Sequence, residues 1–483
     1  MHKFDTKIQY LKYKAVKQVA IHAWKDDLLE NVLNIPKEIV PGKIPTMRCC
    51  VYKERAILSE RVRLAMGGNK KNPNIIEVID IACDECPAAG YQITDSCRGC
   101  LAHHCMEVCP KDAIYIDNDR RCRIDKTKCI ECGKCASVCP YTAIISRQRP
   151  CMLACKVKAI SITDNGAAHI DKDKCIECGA CMYQCPFGAI SEKSFILNVI
   201  DMINKSNNGT KYPVYAIIAP SLITQFSNVK PGQVLTAIKK LGFNQIFEVA
   251  QGADIVAYNE TKELSEKGFL TSSCCPAFVS YIRKSFPELT PFISSNLSPM
   301  GALAKYMKEQ DPDCRIVFIG PCTAKKSEIQ QKPLKGLVDA VITFEELLAL
   351  FDSKDIELDN LEETEIDNAS YFGRIFARSH GLTDAIEQAI KEQDLPQDFK
   401  FKPVVCDGID QCKVALMRKL KNLLDGNFIE GMACNGGCVG GAGILTRMPS
   451  YDKLKTCTDN YGKQATTETI TDSINSLPNL KRD

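Results

Sequence analysis

The sequence predicts a chain of mixed class: an α+β segment rich in short turns, followed by a larger α/β domain. Three observations carry this. Seventeen of the 28 cysteines lie between Cys83 and Cys185, in short segments broken by turns. That segment repeats itself, "CIECGKCASVCPYTAI" at Cys129 returning as "CIECGACMYQCPFGAI" at Cys175. From about Lys211 onward, apolar strand candidates such as "YPVYAIIAPS" and "RIVFIGPC" alternate with amphipathic helices such as "AVITFEELLALF".

Composition bounds the rest. A chain of 483 residues with 45% apolar side chains is too long for one core, so two or three domains are expected. With 62 basic and 59 acidic residues the formal charge is only +3, which argues against a dedicated nucleic-acid binder. The opening "MHKFDTKIQYLKYK" has no apolar signal-peptide core, and no apolar run is long enough to span a bilayer. We therefore expect no membrane partner and a cytoplasmic location, where thiols stay reduced and clustered cysteines mean metal more often than disulfides.

Taken in order, residues 1–80 are Lys-rich and helical in pattern, as in "VYKERAILSERVRLAMGG", with Cys49 and Cys50 as their only thiols. No chemistry is assigned to them; a solvated helical surface is expected, the alternative being a basic face that docks an acidic ferredoxin. Residues 81–195 hold the cysteine repeats. The stretch "NKSNNG", Asn204 to Gly209, reads as a linker, and residues 210–483 form the α/β domain.

The repeat Cys-x2-Cys-x2-Cys-x3-Cys-Pro wraps three thiolates around one iron–sulfur cube, while the fourth cysteine ligates a neighbouring cube. Zinc knuckles also use CxxC pairs, but seldom in this compact run with proline. The region Cys97 to Lys193 resembles bacterial two-cluster ferredoxins. Crossed pairing predicts one cluster on Cys97, Cys100, Cys105 and Cys139, and a second on Cys129, Cys132, Cys135 and Cys109. A third falls on Cys155, Cys175, Cys178 and Cys181. The orphan pair Cys83 and Cys86 then completes a fourth with Cys151 and Cys185, the alternative being free thiols or zinc. Cys122 is left over. His103 and His104 are expected at the surface or in packing.

Clusters of this kind move electrons without bond chemistry, so the α/β domain is where the electrons go. Its informative cysteines follow strand candidates: "FLTSSCCPAF" (Cys274, Cys275), "RIVFIGPCTAKKSE" (Cys322) and "FIEGMACNGGCVGG" (Cys434, Cys438). Ligands gather where parallel strands end, so three such loops can converge on one cofactor. Cys314, Cys406, Cys412 and Cys457 are expected to pack without a metal role.

Together these loops resemble the three signature loops of the two-lobed catalytic domain of [FeFe]-hydrogenases. The resemblance implies an H-cluster, a cube joined through a cysteine to a diiron unit bearing carbon monoxide, cyanide and an azadithiolate. Carried over position by position, Cys275, Cys322 and Cys434 hold the cube and Cys438 bridges. Lys325, Pro220, Ser221 and Met432 contact the diiron unit. Cys274 passes protons, followed by Glu260, Ser294 and Glu263. On spacing alone, two Glu three apart on one helix are a solvated face, and Lys326 is a solvated charge. The first loop ends in Ala-Phe where better-known members carry Gly-Trp, Gly320 stands where Met is common, and the third loop reads Gly-Gly-Ala-Gly-Ile-Leu. These features resemble the group B clostridial-type branch.

The resemblance implies reversible formation of H2 from protons and electrons, with ferredoxin or flavodoxin as electron partner, three to four accessory [4Fe–4S] clusters, and maturation enzymes for the diiron unit. No dinucleotide fingerprint follows a strand, so NAD(P)H is not expected as a direct donor. The competing class is a non-catalytic iron–sulfur protein, acting in cluster assembly or redox sensing, that keeps the cube ligands alone.

Overall fold

The computed structural model describes residues 4–87, 89–226, 229–366, 369–396, 399–447 and 450–480. Its α/β part is built on two parallel sheets. The strands are β1 (Val214–Ile218), β2 (Gln245–Glu248), β3 (Leu270–Thr271), β4 (Arg315–Ile319), β5 (Ala340–Ile342), β6 (Pro403–Asp407) and β7 (Phe428–Met432). The first sheet runs β2-β1-β4-β5 and the second β3-β7-β6, with every pairing parallel. The run "VYAII" of β1 is buried throughout, as a parallel strand covered on both faces requires. Strand order reverses between β1 and β4, and such a switch point opens a crevice at the strands' carboxyl ends.

Five helices set the site in place: α1 (Lys7–Trp24), α2 (Val51–Ala65), α3 (Ile196–Ser206), α4 (Val249–Lys267) and α5 (Pro276–Ser285). Helix α4 begins where β2 ends and stops at Gly268, whose φ of 73° lets its N–H close on Leu264 O. Four other helices pack around α4: Pro299–Gln310, Tyr371–Ile375, Gly381–Glu392 and Ile470–Asn475. It therefore buries most of its surface, the carboxylates of Asp254, Glu260 and Glu263 included, and leaves Asn259, Lys262 and Glu266 exposed.

The amino-terminal region departs from the solvated surface expected of it. Thr6 caps α1 by accepting from Gln9 N, and the stripe Tyr13, Val16 and Ala20 faces inward at helical spacing. That stripe shares one core with β1, β4 and the helix Phe344–Ser353. The expected linker, Asn204 to Gly209, is the end of α3 and the turn after it, and α3 contributes Ile196, Val199, Ile200 and Ile203 to the same core.

The cysteine repeats form short antiparallel pairs. In the first, Gly90–Ile93 pairs with Ile144–Arg147 and Ile114–Ile116 with Cys122–Ile124. In the second, Ile160–Ile162 pairs with Ala168–Ile170, and Ile76–Val78 pairs with Ile190–Glu192. The last pairing carries the segment after Val78, with Cys83 and Cys86, onto the second repeat. Among the described residues no helix is long and apolar enough to cross a membrane.

Candidate functional site

Cys275, Cys322 and Cys434 each follow the carboxyl end of a parallel strand: β3, β4 and β7. Cys438 opens a short turn, Cys438–Gly440, which packs against the turn Pro220–Thr224 after β1. Four loops from two sheets thus meet. The thiols are close enough to act on one another electrostatically: Cys322 on Cys275 and Cys438, and Cys434 on Cys322, Cys275 and Cys438. Burial first, and these like-charged neighbours second, push Cys322 and Cys438 up to about 12, and Cys434 well above its usual value. Such a set is neutral unless metal supplies the opposing charge.

The donor chemistry therefore fits a four-iron cube. Among the described residues no three His, Cys, Asp or Glu side chains converge on a single-ion site. A lone zinc needs its ligands about 2.3 Å from one point, whereas cube thiolates bind separate irons and stay apart. Among the buried polar atoms without a hydrogen-bond partner are Ser221 Oγ, on the turn packed against Cys438–Gly440, and Glu260 Oε2, by Cys274. Buried polar groups are normally paired, so a polar group is expected against each.

Lys325 is buried and pairs with Glu328 Oε2 at 2.7 Å, while its Nζ reaches Cys274 O at 3.4 Å. Burial disfavours its charge, but Glu328 outweighs that and keeps it an ammonium. Sequence reading missed Glu328, three residues on along the same turn. The expectation for Lys326 is corrected: it is 0% exposed, ion-paired with Glu346 at 2.8 Å and donating to Lys193 O at 2.8 Å. An ammonium next to a cluster loop is held inside because β5 and its following helix bring the carboxylate to it. Met432 is buried at the end of β7, and Pro220 opens the turn that carries Ser221.

The two glutamates are not a solvated face. Glu260 is fully buried on α4 and accepts from Ser273 N and Ser273 Oγ, both at 3.0 Å. Burial raises it to about 7. Ser294 Oγ stands beside Glu260 and donates to Glu263 Oε2 at 3.0 Å. Glu263 Oε1 meets Lys267 Nζ at 2.6 Å, and Lys267 is half exposed. Burial and then the Glu260 charge push the Cys274 thiol well above its usual value. Cys274, Glu260, Ser294, Glu263 and the half-exposed Lys267 thus lie one beside the next, with Ser273 and Lys267 unforeseen in the sequence. A third buried carboxyl, Glu430 in β7, is also raised by burial to about 7 and accepts from His380 N at 2.8 Å and Thr383 N at 2.9 Å.

The accessory thiols gather as four sets. Cys109, Cys129, Cys132 and Cys135 line one small cavity. Cys105 lies by Cys97, Cys100 and Cys139, with the left-over Cys122 at 3.8 Å from it. His103 is 3.9 Å from Cys122, and His104 is exposed. Cys181 lies by Cys155, Cys175 and Cys178. Cys83, Cys86, Cys151 and Cys185 line a further cavity. Two of the sets are ordered relative to the cube loops: Cys178 borders Cys275 and Cys434, and Cys181 borders Cys151. The third set docks on the cube loops through Thr323, whose hydroxyl donates to Glu177 O at 2.8 Å. Cys406 and Cys412 lie side by side in one core with Phe278 and Ile429, and Cys275 acts electrostatically on Cys412.

A sheet switch point ringed by four partly buried thiols, with further cysteine sets beside it, has the donor set of an iron–sulfur protein. Residues 212–442 match the model of the iron-only hydrogenase large subunit, C-terminal domain. Residues 96–143 match a 4Fe-4S dicluster domain and residues 168–191 a 4Fe-4S binding domain. The chain is 30% identical over 390 residues to Iron hydrogenase 1 of Clostridium pasteurianum, covering 69% of this chain and 67% of that one. It is 38% identical over 140 residues to a cytosolic Fe-S cluster assembly factor of Sclerotinia sclerotiorum, covering 25% of this chain and 24% of that one. An apo [FeFe]-hydrogenase structure from Chlamydomonas reinhardtii aligns over 58% of this chain and 92% of its own, with 20% identity and a TM-score of 0.49. The chain belongs to the iron-only, or [FeFe], hydrogenase family.

Proposed function

We propose that the protein is a ferredoxin- or flavodoxin-linked hydrogenase that interconverts H2 with protons and electrons, in the cytoplasm, at an H-cluster installed by maturation enzymes. The observation that carries this reading is the line of buried Cys274, Glu260, Ser294 and Glu263 that ends on half-exposed Lys267. An electron-transfer or assembly protein needs the thiols but no proton line.

In this reading Cys275, Cys322, Cys434 and Cys438 hold the cube, Cys438 is shared with the diiron unit, and Met432 and Pro220 shape its pocket. When bound, the diiron unit supplies the redox metal at which protons and electrons combine. Cys274 holds a proton at Sγ beside that pocket, because burial keeps the thiol protonated. Glu260, raised to about 7, gives and takes a proton near neutrality. The Ser294 hydroxyl, donating to Glu263, relays to a carboxylate that Lys267 holds near solvent. Ser221 Oγ and the Lys325 ammonium offer donors to anionic ligands in the crevice. The four accessory thiol sets would hold one cluster each, and such clusters would supply single-electron transfer.

The local likeness to cluster assembly factors supports a second reading, in which the cube alone is bound and no H2 is made. Hydrogen evolution from a reduced viologen, measured on protein produced with the maturation enzymes, separates the two. The hydrogenase reading expects turnover that falls at least about 100-fold in Cys274→Ala with iron content unchanged. Iron-replete protein without turnover supports the assembly reading.

A further inference from the structure

The charges around the accessory sets differ in sign. Arg61 on α2 and Arg149, two residues before Cys151, are 5% and 6% exposed. Arg61 donates to Gly188 O at 2.7 Å, and its Nε has no partner. Arg149 donates to Pro87 O at 3.3 Å, Gly166 O at 2.8 Å and Cys86 O at 3.4 Å. Among the described residues neither forms an ion pair, and Glu192, the carboxylate acting on Arg61, is committed to Lys12 at 2.6 Å. Buried cations without a counter-charge are strongly unfavourable. The thiol set lies beside both: Arg149 acts on Cys83 and Cys86, and Arg61 feels Cys185 as well as the like charge of Arg48.

The sequence makes room for this arrangement. Four equivalent turns in "CPKDAI", "CPYTAI", "CKVKAI" and "CPFGAI" take left-handed backbone at Asp112 (φ 45°), Thr142 (φ 47°), Lys158 (φ 53°) and Gly188 (φ 60°). Three of these carry side chains, so the turn itself does not demand glycine. A Cβ at Gly188 would lie 2.5 Å from the Arg61 guanidinium and 2.5 Å from Ile8. Glycine there admits the cation. The neighbouring set has the opposite charge beside it: Glu177, 9% exposed, lies between Cys175 and Cys178 in the chain and acts on Cys175.

We infer that Arg61 and Arg149 hold the centre on Cys83, Cys86, Cys151 and Cys185 at the highest reduction potential of the accessory chain, so that an electron rests there before it passes to the set docked on the cube loops. The inference depends on reading these thiols as cluster ligands. Reduction adds one electron, delivered by a low-potential carrier of the ferredoxin class, and neither forms nor breaks a bond. The added negative charge is stabilised by fixed cations and opposed by Glu177 at the next set. Both arginines act through the centre and are positioning residues.

The test is a redox titration of the full-length, cluster-loaded protein followed by electron paramagnetic resonance, with iron analysis. Cys151→Ser should remove the highest-potential signal; iron and signals unchanged in C151S would sink the ligand reading, and the inference with it. With that signal assigned, R61Q/R149Q at full iron should lower its potential by a tenfold change in the reduction equilibrium or more, about 59 mV. R61K/R149K should stay near the native value, and the other signals should not move. Full iron with an unmoved potential, or equal shifts for Gln and Lys, overturns the inference while leaving the cluster in place. If the arginine variants fail to load, Gly188→Ala displaces the Arg61 guanidinium without removing charge, and the same signal must then fall.

Discussion

The hydroxyl of Ser294 donates to Glu263 Oε2 at 3.0 Å and stands beside the fully buried Glu260, three residues earlier on the same helix. A serine from the loop after α5 thus closes the gap between two carboxyls that one helical face cannot bring into contact. Removing that hydroxyl interrupts the line without touching a thiol. We expect Ser294→Ala to lower H2 production by about 100-fold, with Glu263→Gln similar. Because the groups act in series, the double variant should be little worse than either alone. Viologen-driven turnover at matched iron content is the check, and additive losses would contradict a shared line.

The Lys326–Glu346 pair predicts a large stability effect. Both side chains are within 1% of full burial, and Glu346 also accepts from Thr343 N at 2.6 Å. Lys326→Ala leaves that carboxylate buried and uncompensated, at a cost of about 3–5 kcal/mol. The exposed pair Lys205–Asp201 is the control, where Lys205→Ala should change stability by less than about 1 kcal/mol. Denaturant unfolding of the two variants in parallel measures the contrast.

Asp254 gives a pH dependence with a definite sign. It is buried, bonded to Ser370 N at 3.1 Å and to the Ser370 hydroxyl at 2.6 Å, and burial raises it to about 7 from 3.8. Between those values the folded state holds a proton that the unfolded state has released, so stability falls as pH rises across the window and the penalty is complete above about 7. Glu260 and Glu430 add to the same slope. Asp254→Asn loses a backbone acceptor and is less stable overall, yet its Tm should fall less between pH 5 and pH 8 than the parent's. A slope equal to the parent's would show that Asp254 does not titrate in that window.

Gly179 tests how the third thiol set is docked. A Cβ there would lie 2.3 Å from Ala442 Cβ and 2.9 Å from Thr323 Oγ1, at a φ of 76°. Gly179→Ala must therefore push the Cys175–Cys181 loop away from the cube loops, by strain of about 1–3 kcal/mol. Electron delivery to the cube should slow while the accessory clusters still load, which rapid-mixing spectroscopy of cluster reduction reads directly.

How much of this was legible in the sequence follows from what spacing encodes. The repeats and the three distant loops were readable because ligand spacing is local and because Cys275, Cys322 and Cys434 directly follow apolar strands. The orphan pair Cys83 and Cys86 was placed by counting thiols, and the pairing of Ile76–Val78 with Ile190–Glu192 supplies the physical reason it lies with Cys151 and Cys185. What spacing cannot encode is the environment of a charge. Lys326, Glu260 and Arg61 look like surface residues in a linear string, and each is buried because helices distant in sequence close over it. Glu328 and Ser273 were missed for the opposite reason: each is within three residues of a recognised one, with nothing local to mark its side chain as a partner.

The central claim is that the crevice between the two sheets, ringed by Cys275, Cys322, Cys434 and Cys438, holds a working H-cluster. Infrared spectroscopy on anaerobically purified protein, produced together with the diiron maturation enzymes, tests it most directly. The account predicts absorption bands in the range of metal-bound carbonyl and cyanide that shift under H2 and vanish in Cys438→Ser. No bands in this protein, when a known hydrogenase matured in parallel displays them, would contradict it.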